Sequence, residues 1–153
     1  MSTDSDARAT RGELASWGRR LAALLLDAAI LGLVVAGTAL AAGVPADDLR
    51  ERIQNGETML LVLLFLAPEA IYQTAMIGSR NQTLGKMALG IEVVDAESRA
   101  AIGYPRAFTR WISTAALRAL FTIPTIVDHL WPLRDPKNQT LHDKLARSVV
   151  VRT

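Results

Sequence analysis

Two acidic residues lie inside apolar blocks, and their chemistry is the first indication of a function. Asp27 interrupts residues 21–42, LAALLLDAAILGLVVAGTALAA, and Glu69 interrupts residues 59–77, MLLVLLFLAPEAIYQTAMI. A desolvated carboxylate has a raised pKa, so it can load and release a proton near neutral pH, and carboxylates inside membrane spans mark ion or proton pathways. The two acids therefore predict a proton- or cation-handling site. The alternative is a structural polar cluster that fixes helix packing.

Three arginines are candidate partners of these acids. Arg20 precedes Asp27 by two helical turns on nearly the same face, with a rise of about 10.5 Å between them. We therefore expect Arg20 to extend to the membrane interface while Asp27 meets another helix. Asp27 and Glu69 are expected to share a polar region between helices, with Arg110 or Arg118 as the counter-ion.

Both apolar blocks, 21–42 and 59–77, predict transmembrane helices. Each is close to the roughly 20 residues that cross a bilayer core of about 30 Å, and a helix satisfies its own backbone there. The first block is longer than the apolar part of a cleaved signal peptide, so a retained span is expected. Ala28, Gly32 and Ala36 form a ridge of small residues, which predicts close packing against a second helix.

The distribution of Lys and Arg predicts the orientation. Basic residues concentrate before the first block and in residues 78–106, which places both segments in the cytoplasm and residues 43–57 outside. Residues 1–16 are expected to form a flexible cytoplasmic tail. A third helical segment, residues 107–127, is broken at Pro124. We expect it to be re-entrant; the competing hypothesis is a third full span that places the C-terminus outside.

The sequence contains an internal repeat. Residues 81–95 read NQTLGKMALGIEVVD, and residues 138–152 read NQTLHDKLARSVVVR. Each copy predicts a short capped helix followed by a short strand, with Thr83 and Thr140 as N-caps. Thr140 and Asp143 also fit a capping box, a structural role that needs no chemistry. The two strands are expected to pair in a small sheet at the membrane face.

Several function classes are excluded or left without a motif. The chain has no cysteine, which excludes disulfides and thiolate chemistry. No nucleophile elbow, dinucleotide fingerprint or zinc motif occurs, and His129 and His142 lack metal-ligand spacing. We therefore expect no enzymatic activity, cofactor or metal. Basic residues flank the apolar blocks rather than alternating with aromatic ones, which favours anionic lipid headgroups over nucleic acid as partners.

Three motifs, RLAALLLD, NQTLGKMALGIEVVD and NQTLHDKLARSVVV, resemble the RDD family of bacterial membrane proteins over residues 17–152. The arginine and first aspartate that name this family match Arg20 and Asp27. The second aspartate is best matched by Asp143, with Asp135 and Asp128 as alternatives. The resemblance implies a multi-pass protein of the bacterial inner membrane with a cytoplasmic N-terminus.

The expected fold is an all-α membrane protein with two transmembrane helices, a Pro-broken third helical or re-entrant segment and a small cytoplasmic β element. The expected function is transport of small ions by cation/proton exchange. In that hypothesis Asp27 carries the proton, Glu69 coordinates the ion and Arg20 holds the inner mouth. Two or three helices cannot enclose a path, so a homo-oligomer is expected. The alternative is an accessory or scaffold subunit of a larger membrane complex.

Overall fold

The computed structural model of the chain describes residues 12–41, 43, 45–56, 58–120 and 122–153. These residues are mostly helical, with one small sheet, as the sequence predicts. In chain order the elements are α1 (Trp17–Ala41), α2 (Ala46–Gln54), α3 (Thr58–Arg80), α4 (Leu84–Ala88), β1 (Ile91–Asp95), α5 (Gly103–Leu120), α6 (Thr122–Leu130), a 3-10 turn (Trp131–Leu133), α7 (Leu141–Leu145) and β2 (Ser148–Arg152).

Helix α1 has the length and composition of a membrane span. Among the described residues it is the one helix that meets both requirements, over Trp17–Gly37, and only 11% of its apolar window is buried. A core helix of a soluble protein would be covered on most sides, whereas Leu33 and Leu40 are 75% and 78% exposed. The second predicted span, 59–77, lies within α3, although the side chains at 58–65 are outside the described part of the chain.

The predicted sheet is present, and it is wider than expected. β1 and β2 are antiparallel, with Val93 opposite Val150. The segment before α1 extends the sheet by pairing with β2. Leu14 forms an antiparallel bridge with Val151, and the Ala15 amide donates to the Val150 carbonyl at 2.9 Å. Residues 12–15, which the sequence assigns to a flexible tail, therefore lie along β2. Their apolar side chains complete the buried core of the sheet.

The third helical segment is described as two helices, α5 and α6, and residue 121 between them lies outside the described residues. Pro124, the predicted break, lies within α6 as its third residue. Proline fits there because amides in the first turn of a helix have no intrahelical acceptor to lose. Helix α5 packs along α3, most closely at Gly78, where an added Cβ would lie 2.8 Å from Cγ of Tyr104.

The two halves of the repeat have the same backbone conformation. Thr83 and Thr140 cap α4 and α7, and the predicted capping box between Thr140 and Asp143 is confirmed. Asn81 and Asn138 precede these caps with positive φ values of 59° and 49°, a region that asparagine tolerates better than most residues.

The glutamine that follows each asparagine strengthens the equivalence of the two halves. The Gln82 and Gln139 side chains each donate to the carbonyl nine residues further on, at 3.1 and 2.9 Å. The repeated sequence therefore encodes a repeated local structure.

Candidate functional site

Asp27 joins three elements through its carboxylate. The Tyr72 hydroxyl and the Gly85 amide donate to Oδ1 at 2.7 Å each, and the Thr83 hydroxyl donates to Oδ2 at 2.5 Å. Tyr72 also accepts a hydrogen bond from the Leu84 amide at 2.9 Å. Asp27, which is 4% exposed, thus holds the first turn of α4 between α1 and α3, as the structural alternative predicts.

Gly85 is required for this contact because α4 lies directly against α1. A Cβ added there would be 2.9 Å from Cγ of Asp27 and closer still to the Ala23 carbonyl oxygen. Any side chain would push the two helices apart, and the carboxylate would lose its donors.

The second repeat is bound by an acid in the same way. His142 matches Gly85 in the repeat, and its amide donates to Oδ1 of Asp128 at 3.1 Å. The His142 ring approaches the same carboxylate, with Nδ1 2.6 Å from Oδ2. Asp128, on α6, is 1% exposed. Each short helix therefore presents its N-terminal amides to a buried carboxylate of a longer helix, a favourable arrangement for the helix dipole.

Arg20 does not extend to an interface as the sequence predicts. Its side chain is 11% exposed, and Nη1 lies 2.7 Å from Oδ2 of Asp143. The prediction was wrong because the partner is 123 residues away in sequence and reaches Arg20 only through the folded second repeat.

Asp143 is the centre of a buried ion cluster. The carboxylate is inaccessible to solvent and binds Arg20, Arg110 and the Thr140 amide. Arg110, predicted as a counter-ion of Asp27 or Glu69, binds Asp143 instead, and Nη1 also donates to the Ser148 hydroxyl at 2.6 Å. Burial alone would raise the pKa of Asp143, but the charges of Arg110, His142 and Arg20 hold that pKa well below its ordinary value.

His142 lies beside this cluster. Burial lowers its pKa, although Asp128 and Asp143 oppose the shift. The ring centroid of His129 lies 6.3 Å from that of His142, with the two rings tilted to each other, and Nδ1 of His129 faces the Thr125 carbonyl. In the ranges that the structure covers, no three His, Asp or Glu side chains are grouped so as to hold a metal ion.

Glu69 and Arg118 form an ion pair that is separate from the Asp143 cluster. Nη1 of Arg118 lies 2.8 and 2.9 Å from the two carboxylate oxygens, and Gln73 donates to Oε1 at 3.4 Å. The Arg118 side chain is 35% exposed, and that of Glu69 15%. The structure thus brings Glu69 to one of its two predicted counter-ions.

Two adjacent cavities connect these groups. One, of about 270 Å³, lies between α1, α3 and α5 and reaches Glu69. The other, of about 100 Å³, lies towards the repeats and reaches Lys86. Asp27, Gln73 and Arg118 line both. We call the continuous surface formed by Asp27, Glu69, Gln73 and Arg118 the polar seam.

The ridge of small residues on α1 has no tight helix contact within the described part of the chain. Ala28, Gly32 and Ala36 are all exposed, and a Cβ added at Gly32 would meet no atom within 4 Å. Ala28 and Gly32 line the larger cavity, and the predicted packing role of the ridge stays a prediction.

Lys86 is a site residue that sequence reasoning missed. Its ammonium has no carboxylate within 4.0 Å among the described residues, and its hydrogen bond is to the Thr83 hydroxyl at 3.4 Å. Burial and the charge of Arg110 lower the pKa of Lys86 to about 8, although Asp27 and Asp143 act in the opposite direction. The available signal was the repeat, because Lys86 takes the place that Asp143 has in the second copy.

Comparison with known proteins identifies a family. Neither the curated proteins nor the solved structures give a match to the chain. The model of the RDD family matches residues 14–147, a range that includes Arg20, Asp27, Asp143 and both short helices. Because the match extends over nearly the whole sequence and agrees with the motifs of α1 and the two repeats, this chain belongs to the RDD family, whose members are membrane proteins.

Proposed function

We propose that this protein is a multi-pass protein of the bacterial inner membrane that transports small ions by exchanging a monovalent cation for protons along the polar seam. The observation that carries this proposal is that Asp27, Gln73 and Arg118 line both of the adjacent cavities. Polar and ionisable side chains inside apolar helices are costly and are retained where they form ion or proton pathways.

The sheet supports a topology for this function. Residue 14, residues 91–95 and residues 148–152 pair with one another, and paired strands share one side of a bilayer. This favours an N-terminus, a first repeat and a second repeat that are all cytoplasmic, with α1 and α3 as the two crossings. Helix α5 has 18 residues and is about 27 Å long. Helix α6 then leads back towards the sheet. This course supports a re-entrant segment.

Glu69 is the group best suited to exchange ions. A cation that binds its carboxylate has only to displace Arg118, an exposed arginine with freedom to move away. Asp27, in contrast, would have to release three short hydrogen bonds from Tyr72, Thr83 and Gly85. We therefore assign ion exchange to Glu69 and Arg118, and we assign to Asp27 the maintenance of the seam.

A homo-oligomer would complete the pathway. The described helices enclose the seam on one side only, and α1 leaves large apolar side chains exposed, including Leu25 at 61% and Leu33 at 75%. Lipid or another copy of α1 can cover such a surface, and a second copy would also close the larger cavity.

The test is transport by the purified protein in vesicles that contain a pH-sensitive dye. A sodium or potassium gradient should drive a pH change in wild-type vesicles. Glu69→Gln should abolish this change because it removes the exchanging charge. Glu97→Gln, an exposed glutamate in the turn after β1, is the matched control and should transport normally. Wild-type transport rates in correctly folded Glu69→Gln would refute the proposal.

A second candidate function is an accessory subunit, and the exposed ridge of α1 favours it. Ala28, Gly32 and Ala36 have room for another helix, and small residues allow helices to approach closely in lipid. Gly32→Leu would fill that space. This candidate predicts a stoichiometric membrane partner that co-purifies with wild type in mild detergent and is lost in Gly32→Leu, together with no ion flux in vesicles.

A further inference from the structure

The smaller cavity has a cationic wall. Four basic side chains line it: Arg20, Lys86, Arg110 and Arg118. Asp27 is the one carboxylate among its described lining residues. The acids that pair with the arginines, Asp143 and Glu69, are not among the residues that line this cavity.

Donors on this wall lack acceptors. Nε of Arg20 and Nε of Arg110 are buried with no hydrogen-bond partner in the portion of the chain that the structure covers. The Arg110 side chain is only 8% exposed, so solvent does not compensate. Lys86 uses a single long hydrogen bond of 3.4 Å. An unsatisfied buried donor costs roughly 1–3 kcal/mol, and more if it is charged.

Asp27 cannot satisfy these donors. Its two oxygens already accept from Tyr72, Thr83 and Gly85. The Lys86 ammonium, which lines the cavity, is therefore the donor that a ligand from outside the protein can use.

We propose that the smaller cavity is a binding site for a small inorganic anion, a halide or an oxyanion, held by the Lys86 ammonium beside the guanidinium groups of Arg20 and Arg110. Its volume of about 100 Å³ has room for an ion of this kind. Ammonium and guanidinium groups form their strongest hydrogen bonds with anionic acceptors. The site adjoins the proposed cation path and shares Asp27, Gln73 and Arg118 with it, but it uses Lys86 and not Glu69, so its failure and the failure of cation exchange can be told apart.

Anion binding should be coupled to the protonation of Lys86. The charged groups that face Lys86 come from three elements: Arg20 and Asp27 on α1, Arg110 on α5 and Asp143 on α7. Burial lowers the pKa of Lys86 to about 8, so Lys86 loses its proton between pH 7 and 9.5. A bound anion favours the protonated lysine, so affinity should fall as the pH rises through 8.

The experiment measures thermal unfolding of the full chain in nanodiscs of neutral phosphatidylcholine, using tryptophan fluorescence. Trp17 lines the cavity and serves as a probe. Chloride and sulfate are titrated at constant ionic strength against gluconate, which is too large for the cavity. At pH 7.5 either anion should raise the unfolding midpoint saturably, and at pH 9.5 the apparent affinity should be more than tenfold weaker.

Two variants identify the site. Lys86→Gln should lose both the anion response and its pH dependence. Lys137→Gln, an exposed lysine outside the cavity, is the matched control and should keep both. If Lys86→Gln fails to fold, the wild-type pH profile decides, because saturable stabilisation of equal strength at pH 7.5 and 9.5 overturns the proposal.

A second set of nanodiscs distinguishes a free anion from a lipid headgroup, since both offer the same acceptor oxygens. If a headgroup phosphate occupies the site, phosphatidylglycerol should raise the unfolding midpoint through Lys86 and reduce the sulfate response. If the ligand is a free anion, the sulfate response should be the same in both lipids. No Lys86-dependent stabilisation by chloride, sulfate or phosphatidylglycerol would overturn the proposal.

Discussion

Replacing Asp143 by asparagine should destabilise the fold more than any other single change of charge described above. The carboxylate is fully buried between Arg20, at 2.7 Å, and Arg110. Asparagine has nearly the same shape, so it leaves no cavity, but it leaves two guanidinium groups buried without a counter-ion. Removal of one partner from a buried ion pair costs about 3–5 kcal/mol. That is a large part of the 5–15 kcal/mol that stabilises a typical domain.

The assay is chemical unfolding of wild-type and Asp143→Asn protein in the same detergent, followed by circular dichroism. Asp95→Asn is the matched control. It also removes an ion pair of the sheet region, between Asp95 and Arg106 at 2.6 Å, but both side chains there reach solvent, so its effect should be much smaller. If Asp143→Asn and Asp95→Asn unfold at the same denaturant concentration, the ion cluster does not hold the second repeat in place.

Three further predictions concern the same region. Gly85→Ala should lower the free energy of unfolding by about 1–3 kcal/mol, because the added Cβ overlaps α1. Gly32→Ala is the control: the space around Gly32 is open, so this change should raise the free energy of unfolding by up to about 1 kcal/mol. Equal shifts of the unfolding temperature in the two variants would contradict the close contact at Gly85. Asp143 stabilises the fold fully above its unfolded pKa of 3.8, and this contribution should disappear as the pH falls below that value. Between pH 5 and 2.5 the free energy of unfolding should therefore fall more steeply with decreasing pH in wild type than in Asp143→Asn. Thr140→Val removes the cap of α7 and should cost about 1–2 kcal/mol, with faster amide exchange in α7; unchanged exchange would show that the cap is dispensable.

Local features of the fold could be predicted from the sequence. The caps at Thr83 and Thr140 and the strands that follow depend on residues within a few positions of each other, and the repeated letters made the pattern visible. Pairing of the two strands followed from the same repeat. The apolar length of α1 predicted a span because hydropathy is a property of a continuous segment.

The partners of the buried charges could not be predicted in the same way. Arg20 and Asp143 are separated by 123 positions, and no local periodicity indicates such a pair. Asp143 was predicted as a member of an ion-binding or structural polar cluster with Arg20, Asp27 and Glu69, but the capping box gave no indication of its arginine partners. Lys86 was missed although it lies in the first repeat, and Asp128 was considered only as an alternative for the second aspartate.

The separation between Arg20 and its carboxylate has a consequence for synthesis. A ribosome that adds 5–20 residues per second needs roughly 6–25 s to make the 123 residues between them. Throughout that interval α1 already exists while the acid that neutralises its arginine has not been made. β2, which pairs with the segment before α1, is made later still than Asp143. The nascent chain must therefore tolerate an uncompensated guanidinium at the start of its first apolar helix, and a truncated product that lacks the second repeat would keep that charge permanently unpaired.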